Sequence, residues 1–372
     1  MARQCTRCIM DSTNDPDLQF NEIGVCNHCL NFEKAIKSLP EPSNRKKQLN
    51  QLINEIKLNG KKNSKYDCII GVSGGVDSTY LCYVAKEHGL RALLVHCDNG
   101  WNSELSVMNI QNICKLTGYE LYTLVIDWEE MRDLQLSFMK AGVVDLELPY
   151  DYALTTTVYK AAKKYGISSI LTGHNVITEG SYLPQLWRHD KNDILNILDI
   201  HRQYGKVKLK TFPKYRFFTQ ILIKRKLKYY FLLNYLEYNK EQVKDLITKE
   251  FSWRDYGGKH YENIFTRFYQ GYILKGKFGF DKRQFHLSVL VQSGQLSREE
   301  ALREYSKPAY DQKQLEEDKQ YVLKKLGMSE EDFRNYMQAP TRKHQEFDSI
   351  KKYWDFYFST IRGVKRVLRR SN

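Results

Sequence analysis

Residues 66–78 read YDCIIGVSGGVDS, an apolar run that leads directly into a loop of small and polar residues. The run from Tyr66 to Val72 is short, apolar and contains β-branched residues, which is typical of a buried strand. The glycines of the loop let the backbone approach a bound group closely, and the serine hydroxyls can donate to it. A helix beginning at Ser78 would direct its positive end at the same place. The stretch therefore predicts a strand, a phosphate-binding loop and a helix in succession.

The candidate nucleotide-binding residues of this loop are consecutive: Ser73, Gly74, Gly75, Val76, Asp77 and Ser78. Because no Gly-Lys-Ser/Thr follows them, a Walker-type NTPase is disfavoured. A Ser/Gly turn that only caps a helix is the other interpretation.

The strand and helix pattern continues on the carboxyl side of the loop. Further strands are predicted at 91–97, 121–126 and 168–172, and helices at 78–88, 103–117 and 153–165. This alternation predicts an α/β fold, with a parallel sheet and flanking crossover helices. In such sheets ligands bind at the carboxyl ends of the strands.

Polar residues follow two of these predicted strands. Asp98 comes after the second strand, although a turn residue is an equal interpretation there. Gly173, His174 and Asn175 follow the strand that ends at Thr172, and Glu179 comes shortly after them. Carboxylate and amide oxygens are ligands that Mg²⁺ prefers, so Asn175 and Glu179 are candidate Mg²⁺ ligands after this strand. His174 is equally well explained as a hydrogen-bonded histidine at a strand end.

Four cysteines near the N-terminus form two close pairs, Cys5-x-x-Cys8 and Cys26-x-x-Cys29. Two such pairs typically converge on one Zn²⁺, whereas unliganded thiols are the less favoured interpretation. His28 is a weaker candidate to replace one cysteine. Since four thiolates would fill a tetrahedral shell, the predicted zinc is structural.

The composition is that of a folded protein of two or three packing units. The chain has 372 residues, of which 42% are hydrophobic and 27% charged. No run approaches the roughly 18 apolar residues of a membrane span, and no signal peptide is recognisable, so we expect a cytoplasmic protein. Eight cysteines are too few for a disulfide framework at this length.

The formal net charge of +14 comes from two segments. Residues 204–230 contain nine Lys or Arg and no acid, and residues 351–372 contain seven Lys or Arg and one Asp. The first segment is a candidate to dock a partner, bind a nucleotide diphosphate or rest on an anionic membrane surface, and a solvated helix is its bland interpretation.

A third group of polar, aromatic and glycine residues lies between 253 and 283. Lys282 and Arg283 are candidate phosphate-neutralising and catalytic residues. A solvated, salt-bridged pair of helices is the other interpretation. The candidate substrate residues of this region are Trp253, Arg254, Asp255, Tyr256, Lys259, His260, Glu262 and Arg267.

The loop at 73–78 resembles the pyrophosphate-binding loop of the ATP pyrophosphatase (PP-loop) superfamily. Together with the cysteine pairs and the 253–283 region, it resembles the bacterial N-acetyl sugar amidotransferases of lipopolysaccharide and flagellar sugar biosynthesis. The resemblance extends from Cys5 to about Arg303. It implies an adenine nucleotide alpha hydrolase-like fold, ATP and Mg²⁺ as cofactors, and Asp77 and Glu179 as Mg²⁺ ligands. It also implies that Asp77 is a catalytic residue and that Asp98 lies near the adenosine of ATP. The reaction that it implies converts a sugar N-acetyl group into an acetamidino group, with release of AMP and pyrophosphate.

The source of ammonia is expected to be another protein. Met1-Ala2 leaves no cysteine at a processed N-terminus, and no internal cysteine has the glycine-flanked elbow of a nucleophile. The resemblance likewise implies a separate glutaminase subunit, with a cyclase-like channel protein as a possible third component.

We expect five segments along the chain: a zinc module at 1–32, a helical connector at 33–64, a PP-loop domain at 65–200, a basic and aromatic substrate and partner region at 201–296, and a helical cap at 297–372. Two other functions stay open. One is a tRNA-modifying PP-loop enzyme, a thiolase or lysidine-type ligase, although we expect nucleic acid to be an unlikely partner because no loop cysteine pair serves sulfur transfer. The other is a zinc-knuckle interaction protein on a degenerate nucleotide fold.

Overall fold

A computed structural model describes residues 3–61, 65–180, 183–215, 217–257 and 263–355 of the chain. It contains one five-stranded sheet in the order β3-β2-β1-β4-β5, and all neighbouring strands are parallel. The strands are β1 (Cys68–Gly71), β2 (Ala92–Asp98), β3 (Glu120–Val125), β4 (Ser169–Leu171) and β5 (Lys228–Tyr230).

The helices surround this sheet and continue beyond it. They are α1 (Asn27–Lys37), α2 (Pro42–Gly60), α3 (Val76–Glu87), α4 (Glu104–Thr117), α5 (Trp128–Ala141), α6 (Leu148–Tyr165), α7 (Val176–Glu179), α8 (Ile194–Tyr204), α9 (Phe217–Lys224), α10 (Lys240–Phe251), α11 (Ile264–Phe268), α12 (Leu274–Phe278), α13 (Lys282–Gln292), α14 (Arg298–Ser306), α15 (Gln312–Leu326) and α16 (Glu330–Gln338).

The parallel sheet expected from the sequence is confirmed, and it has one strand more than the sequence predicted. β5 pairs with β4 through Ser169 and Lys228, Ile170 and Tyr229, and Leu171 and Tyr230. Its three residues lie inside the basic segment 204–230, where no apolar alternation marks a strand. The pairing with β4, and not the local sequence, therefore makes these residues a strand.

Both faces of the sheet are covered, as parallel sheets require. On one face α2, α3, α4 and α10 share a buried core with β1 and β2. On the other face α6 packs against the same two strands. The expected connector therefore forms α2, and its residues Leu49, Ile53 and Ile56 pack into the core because they fall on one side of the helix.

The C-terminal helices are built into the molecule as well. Val322 and Leu326 of α15 and Phe333 of α16 belong to one core with α5 and α8. Between α11 and α12, residues 269–273 form a π-helical turn, which is common near functional sites. Among the described residues, no helix is both long and apolar enough to cross a membrane.

Candidate active site

The loop after β1 has the geometry of a phosphate-binding loop. Gly74 has a φ of 79°, and a Cβ placed on it would come within 2.6 Å of the Ser106 carbonyl oxygen of α4. The Gly74 carbonyl accepts hydrogen bonds from Trp253 Nε1 at 2.9 Å and from Asn109 Nδ2 at 3.3 Å. Only glycine fits this position, and neighbouring elements hold the loop in place.

α3 begins inside the predicted loop, two residues before Ser78. Gly75 is its extended N-cap residue, so the backbone N–H groups of its first turn face the loop. The Gly75 carbonyl accepts from Ser78 Oγ at 3.1 Å and from Thr79 Oγ1 at 2.7 Å. Such a helix N-terminus attracts phosphate through its N–H groups and its dipole.

The segment after β4 approaches the start of α3 closely. A Cβ on Gly173 would come within 3.1 Å of the Asp77 carbonyl carbon, and Asn175 Nδ2 donates to Asp77 Oδ1 at 3.4 Å. Asn175 is fully buried, and its side-chain oxygen accepts from the Thr178 N–H at 2.9 Å. Asn175 therefore positions this segment, while His174 Nδ1 and Glu179 Oε2, 2.6 Å apart, lie on the wall of a cavity.

Tyr238 also contacts Asp77, although no sequence motif indicates a role for this tyrosine. Its hydroxyl donates to Asp77 Oδ1. Burial raises the pKa of Tyr238 strongly, and the carboxylates of Asp77 and Glu179 raise it further. Both carboxylates thus act on one phenol, and their role as Mg²⁺ ligands stays a prediction.

Asp98 is the last residue of β2, and its side chain bonds residues that follow the strand. Its Oδ1 accepts from the Gly100 N–H at 2.9 Å and from Asn102 Nδ2 at 3.1 Å. These contacts match the turn interpretation of the residue, and a contact of Asp98 with adenosine stays a prediction.

A cavity of about 2480 Å³ begins at the loop of residues 73–78. Its walls come from the carboxyl ends of β1 and β4, one face of α6, the segment 186–193 and the residues around α11 and α13. Sites for one small molecule usually measure roughly 300 to 1,000 Å³, so this cavity has room for a nucleotide and a second substrate.

The predicted cations of the cavity are held in ion pairs. Lys282 Nζ lies 3.5 Å from Glu147 Oε2, and Arg283 pairs with Asp281 at 2.8 Å. Arg267 makes two short bonds to Asp318, at 2.6 and 2.7 Å. All three line the cavity, so the structure gathers them at one site, each already bonded to its own carboxylate.

The segment at 253–256 has mixed roles. Trp253 is 2% exposed and braces Gly74, so it supports the loop from behind. Arg254 bonds Asn109 through its backbone N–H at 2.9 Å and its carbonyl at 3.0 Å. Asp255 lines the cavity and pairs with Lys244 at 2.9 Å, and Tyr256 lines it too. The candidates Lys259, His260 and Glu262 lie outside the described residues.

An acidic group on α6 and just before it also faces the cavity, and sequence reasoning missed it. Asp145, Glu147 and Asp151 all line the wall. Burial, together with the charges of Glu147 and Asp145, raises the pKa of Asp151 to about 7. In the sequence, Pro149 and an acid after it only mark the start of a helix, so the local pattern gives no sign of this environment.

The four N-terminal cysteines come together away from this cavity. Their sulfur atoms lie within 4.8 Å of one another, and all four residues are fully buried. N–H groups of Cys26 and of the Gln292 side chain point at the sulfurs of Cys5 and Cys29, both at 3.3 Å. The group fits a tetrahedral Zn²⁺. His28 is not part of it, because its Nε2 bonds Asp15 at 2.7 Å.

Comparison with protein families identifies one region of the chain. Residues 262–361 match the model described as the C-terminal domain of WbpG-like LPS biosynthesis proteins. This match spans roughly a quarter of the chain.

Individual relatives extend over different parts of the chain. An uncharacterized protein of Methanocaldococcus jannaschii is 24% identical over 332 residues, which cover 86% of this chain and 99% of that protein. A tRNA(Ile)-lysidine synthase of Chlamydia pneumoniae is 34% identical over 71 residues, 18% of this chain and 22% of that enzyme. The solved structure of an NH3-dependent NAD synthetase from Campylobacter jejuni matches with a TM-score of 0.34 and 12% identity, covering 80% of this chain and 98% of that chain. That superposition is too loose to bear on function.

Proposed function

We propose that this chain is an ATP-dependent, AMP-forming amidotransferase that converts the N-acetyl group of a sugar into an acetamidino group. The sugar would belong to lipopolysaccharide, O-antigen or flagellar glycan biosynthesis, including the nonulosonic acids. The observation that carries the proposal is the loop of residues 73–78, which opens at the carboxyl edge of a parallel sheet into a cavity with room for two substrates.

The loop would hold the β- and γ-phosphates of ATP. Ser73 and Ser78 offer hydroxyl donors, and the first turn of α3 offers backbone N–H groups. Asp77 and Glu179 would hold Mg²⁺, which neutralises the phosphates and draws charge toward the leaving pyrophosphate. With the β- and γ-phosphates held by the loop, the α-phosphate would face the rest of the cavity.

The reaction would proceed in two steps. The acetamido oxygen attacks the α-phosphorus, the bond to the pyrophosphate oxygen breaks, and an O-adenylyl imidate forms. Ammonia then attacks the imidate carbon, and AMP leaves with the electrons of the carbon–oxygen bond. Water must be kept away, because hydrolysis of the imidate would return the amide.

Two features support a sugar as the second substrate. The C-terminal residues 262–361 match a domain of LPS biosynthesis proteins, and this region contributes Arg267, Gln270, Lys282 and Arg283 to the cavity wall. These hydrogen-bond donors suit hydroxyl and anionic groups of a sugar or sugar nucleotide. The ammonia would come from a separate glutaminase, and the site of four cysteines would hold a structural zinc.

The proposal is tested by measuring pyrophosphate and AMP released from ATP by the purified chain with Mg²⁺ and ammonium chloride. The panel contains N-acetylated sugar nucleotides and nonulosonates, and the same sugars without an acetyl group serve as matched controls. We expect both products only with an acetylated sugar, together with a sugar product in which mass spectrometry finds an oxygen replaced by NH. Release that does not depend on the acetyl group would contradict the proposal.

A second candidate is a tRNA-modifying enzyme, which the similarity to a lysidine synthase favours over a short stretch. Bulk tRNA in the same assay separates the two functions. Turnover that requires tRNA, and that weakens steeply with added salt, would replace the sugar proposal.

A further inference from the structure

One face of α6 extends along the cavity from its acidic end toward the phosphate-binding loop. Asp151, Leu154, Thr155, Val158 and Tyr159 all line the wall, as their helical spacing requires. Val158 lies at the loop end, because a Cβ on Gly71 of β1 would meet its Cγ2 at 3.9 Å. Asp151 precedes Val158 by seven residues, which corresponds to about 10 Å along the helix axis. Asp151 therefore lies along the cavity wall at a distance from the site proposed for the terminal phosphates.

Asp151 differs from the two carboxylates beside it in having no bonding partner. Glu147 Oε2 accepts from Gln270 Nε2 at 2.8 Å and pairs with Lys282, and Asp145 Oδ2 accepts from the His189 N–H at 2.8 Å. Among the described residues, the Asp151 carboxylate forms neither a hydrogen bond nor an ion pair. A partly buried carboxylate without a partner costs folding free energy, so its position needs a reason outside folding.

The four charges around Asp151 come from three segments of the chain. Glu147 and Asp145, from the segment before α6, disfavour its ionised form, whereas Lys191 and Lys282, from other segments, favour it. Together with burial they bring the pKa of this carboxyl to about 7, close to the value at which a general base acts well at neutral pH. Such groups in a substrate cavity are typical of acid–base catalysis.

We propose that Asp151 is the proton acceptor of the amination step, an inference that rests on the function proposed above. As the nitrogen of ammonia bonds to the imidate carbon, it acquires a positive charge, and one of its protons passes to the Asp151 carboxylate. Asp151 then returns this proton to the sugar-bound nitrogen while the carbon–oxygen bond breaks and AMP leaves. Ammonia takes no part in the adenylation step, so that step does not use Asp151.

The test compares Asp151→Asn with Asp190→Asn in the full chain. Asp190 lines the same cavity, but its carboxylate bonds Asn192, and an asparagine can keep that acceptor. Two quantities are measured with the acetylated sugar identified above: the first-turnover release of pyrophosphate without ammonium, and amidine formation with ammonium chloride between about pH 5.5 and 8.5. For Asp151→Asn we expect pyrophosphate release within about threefold of wild type and amidine formation lower by about 100-fold or more. The rise near pH 7 of the wild-type rate, after division by the concentration of free NH3 at each pH, should be absent from this variant and present in Asp190→Asn.

Three results would overturn the inference. Amidine formation by Asp151→Asn at the wild-type rate across the pH range would show that another group accepts the proton. An equal loss in both half-reactions would make Asp151 a structural or binding residue. Absence of pyrophosphate release by wild type with every acetylated sugar would overturn the proposed function itself. Because this result is measured on wild type, it is distinguishable from the two results obtained with Asp151→Asn.

Discussion

At the scale of single residues, Gly74 has two requirements that only glycine meets. Its φ of 79° disfavours any side chain, and a Cβ would also come within 2.6 Å of the Ser106 carbonyl oxygen. Gly118 shares the first requirement, with a φ of 73°, but a Cβ there would meet no atom within 4 Å. The two positions therefore separate backbone strain from steric clash.

We predict that Gly74→Ala lowers ATP turnover by about 100-fold, because the loop must move by a substantial part of an ångström. Gly118→Ala, which has comparable backbone strain, should keep turnover within about twofold and lose only about 1 to 2 kcal/mol of stability. Steady-state pyrophosphate release and urea unfolding measure the two effects. Equal activities of the two variants would show that the loop does not hold the phosphates.

Asp151 leads to a prediction about stability and pH. Its pKa is about 7 in the folded chain and about 3.9 in an unfolded one. Between these values the folded protein holds a proton that the unfolded chain has lost, so this carboxyl lowers the free energy of unfolding as the pH rises, and its effect levels off above pH 7.

Asp151→Asn removes this contribution. We expect the variant to be more stable than wild type at pH 8, by about 1 to 3 kcal/mol after allowance for partial exposure, and the difference to vanish near pH 4. Urea unfolding at both pH values tests this, with Asp190→Asn as the control. A constant difference between wild type and Asp151→Asn would mean that the carboxyl has an ordinary pKa.

The residues that sequence reasoning identified and those that it missed differ in one physical respect. Ser73 to Ser78 are consecutive, so the local pattern indicates a phosphate loop. Tyr238 donates to Asp77, which is distant in the chain, and the pKa of Asp151 is raised first by burial and then by Glu147 and Asp145. Neither the contact with Asp77 nor the burial of Asp151 is encoded in a local pattern. For the same reason, the ion pair of Lys282 with Glu147 could not be foreseen.

At the scale of elements, Trp253 connects the segment after α10 to the phosphate loop. Its indole N–H donates to the Gly74 carbonyl at 2.9 Å. Trp187 makes an equivalent bond to the Asn14 carbonyl at 3.2 Å, next to the zinc module. Both indoles are almost fully buried, so the pair forms a matched comparison.

We predict that Trp253→Phe and Trp187→Phe each cost about 0.5 to 1.5 kcal/mol plus a packing loss. Only Trp253→Phe should also raise the KM for ATP, by about tenfold, because Trp253 bonds the loop and Trp187 does not. Unfolding curves and ATP saturation curves separate the two effects. Similar changes of KM in both variants would indicate a general loss of rigidity.

The zinc module forms a second connection between elements. Phe285 and Val289 of α13 belong to one core with the four cysteines, and Arg298 of α14 donates to the carbonyls of Cys5 and Cys8. α13 begins at Lys282 and so also borders the cavity. A change in the module should therefore reach the cavity through this helix.

We predict one bound zinc per chain, measured by elemental analysis, and a large fall in melting temperature when it is chelated. Cys26→Ser should remove the metal and reduce activity, since loss of a structural site usually costs several kcal/mol. Cys114→Ser, which changes a half-buried thiol of α4, is the control and should keep the zinc. Full activity without zinc would show that the module is independent of the cavity.

At the scale of the whole molecule, the segments expected from the sequence share their cores. Residues of α15 and α16 belong to one core with α5 and α8, and Lys325 of α15 lies over the rings of Trp101 and Trp128 at 5.1 and 4.7 Å. The alternation of strands and helices was sufficient to predict the parallel sheet, since each crossover is a local pattern. The docking of α2 and α15 depends on contacts between distant apolar faces, which the sequence does not specify. The sheet and its crossover helices could thus be predicted, and the packing of α2 and α15 could not.

The proposed reaction requires that ATP activate the oxygen of a sugar acetamido group. The most direct measurement uses an acetylated sugar whose acetamido oxygen is ¹⁸O, with ATP, Mg²⁺ and ammonium chloride, and follows the label by mass spectrometry. We expect the label to appear in the phosphate of AMP, because that oxygen bonds to the α-phosphorus and leaves with it. Label retained in the sugar, or ADP formed in place of AMP, would contradict it.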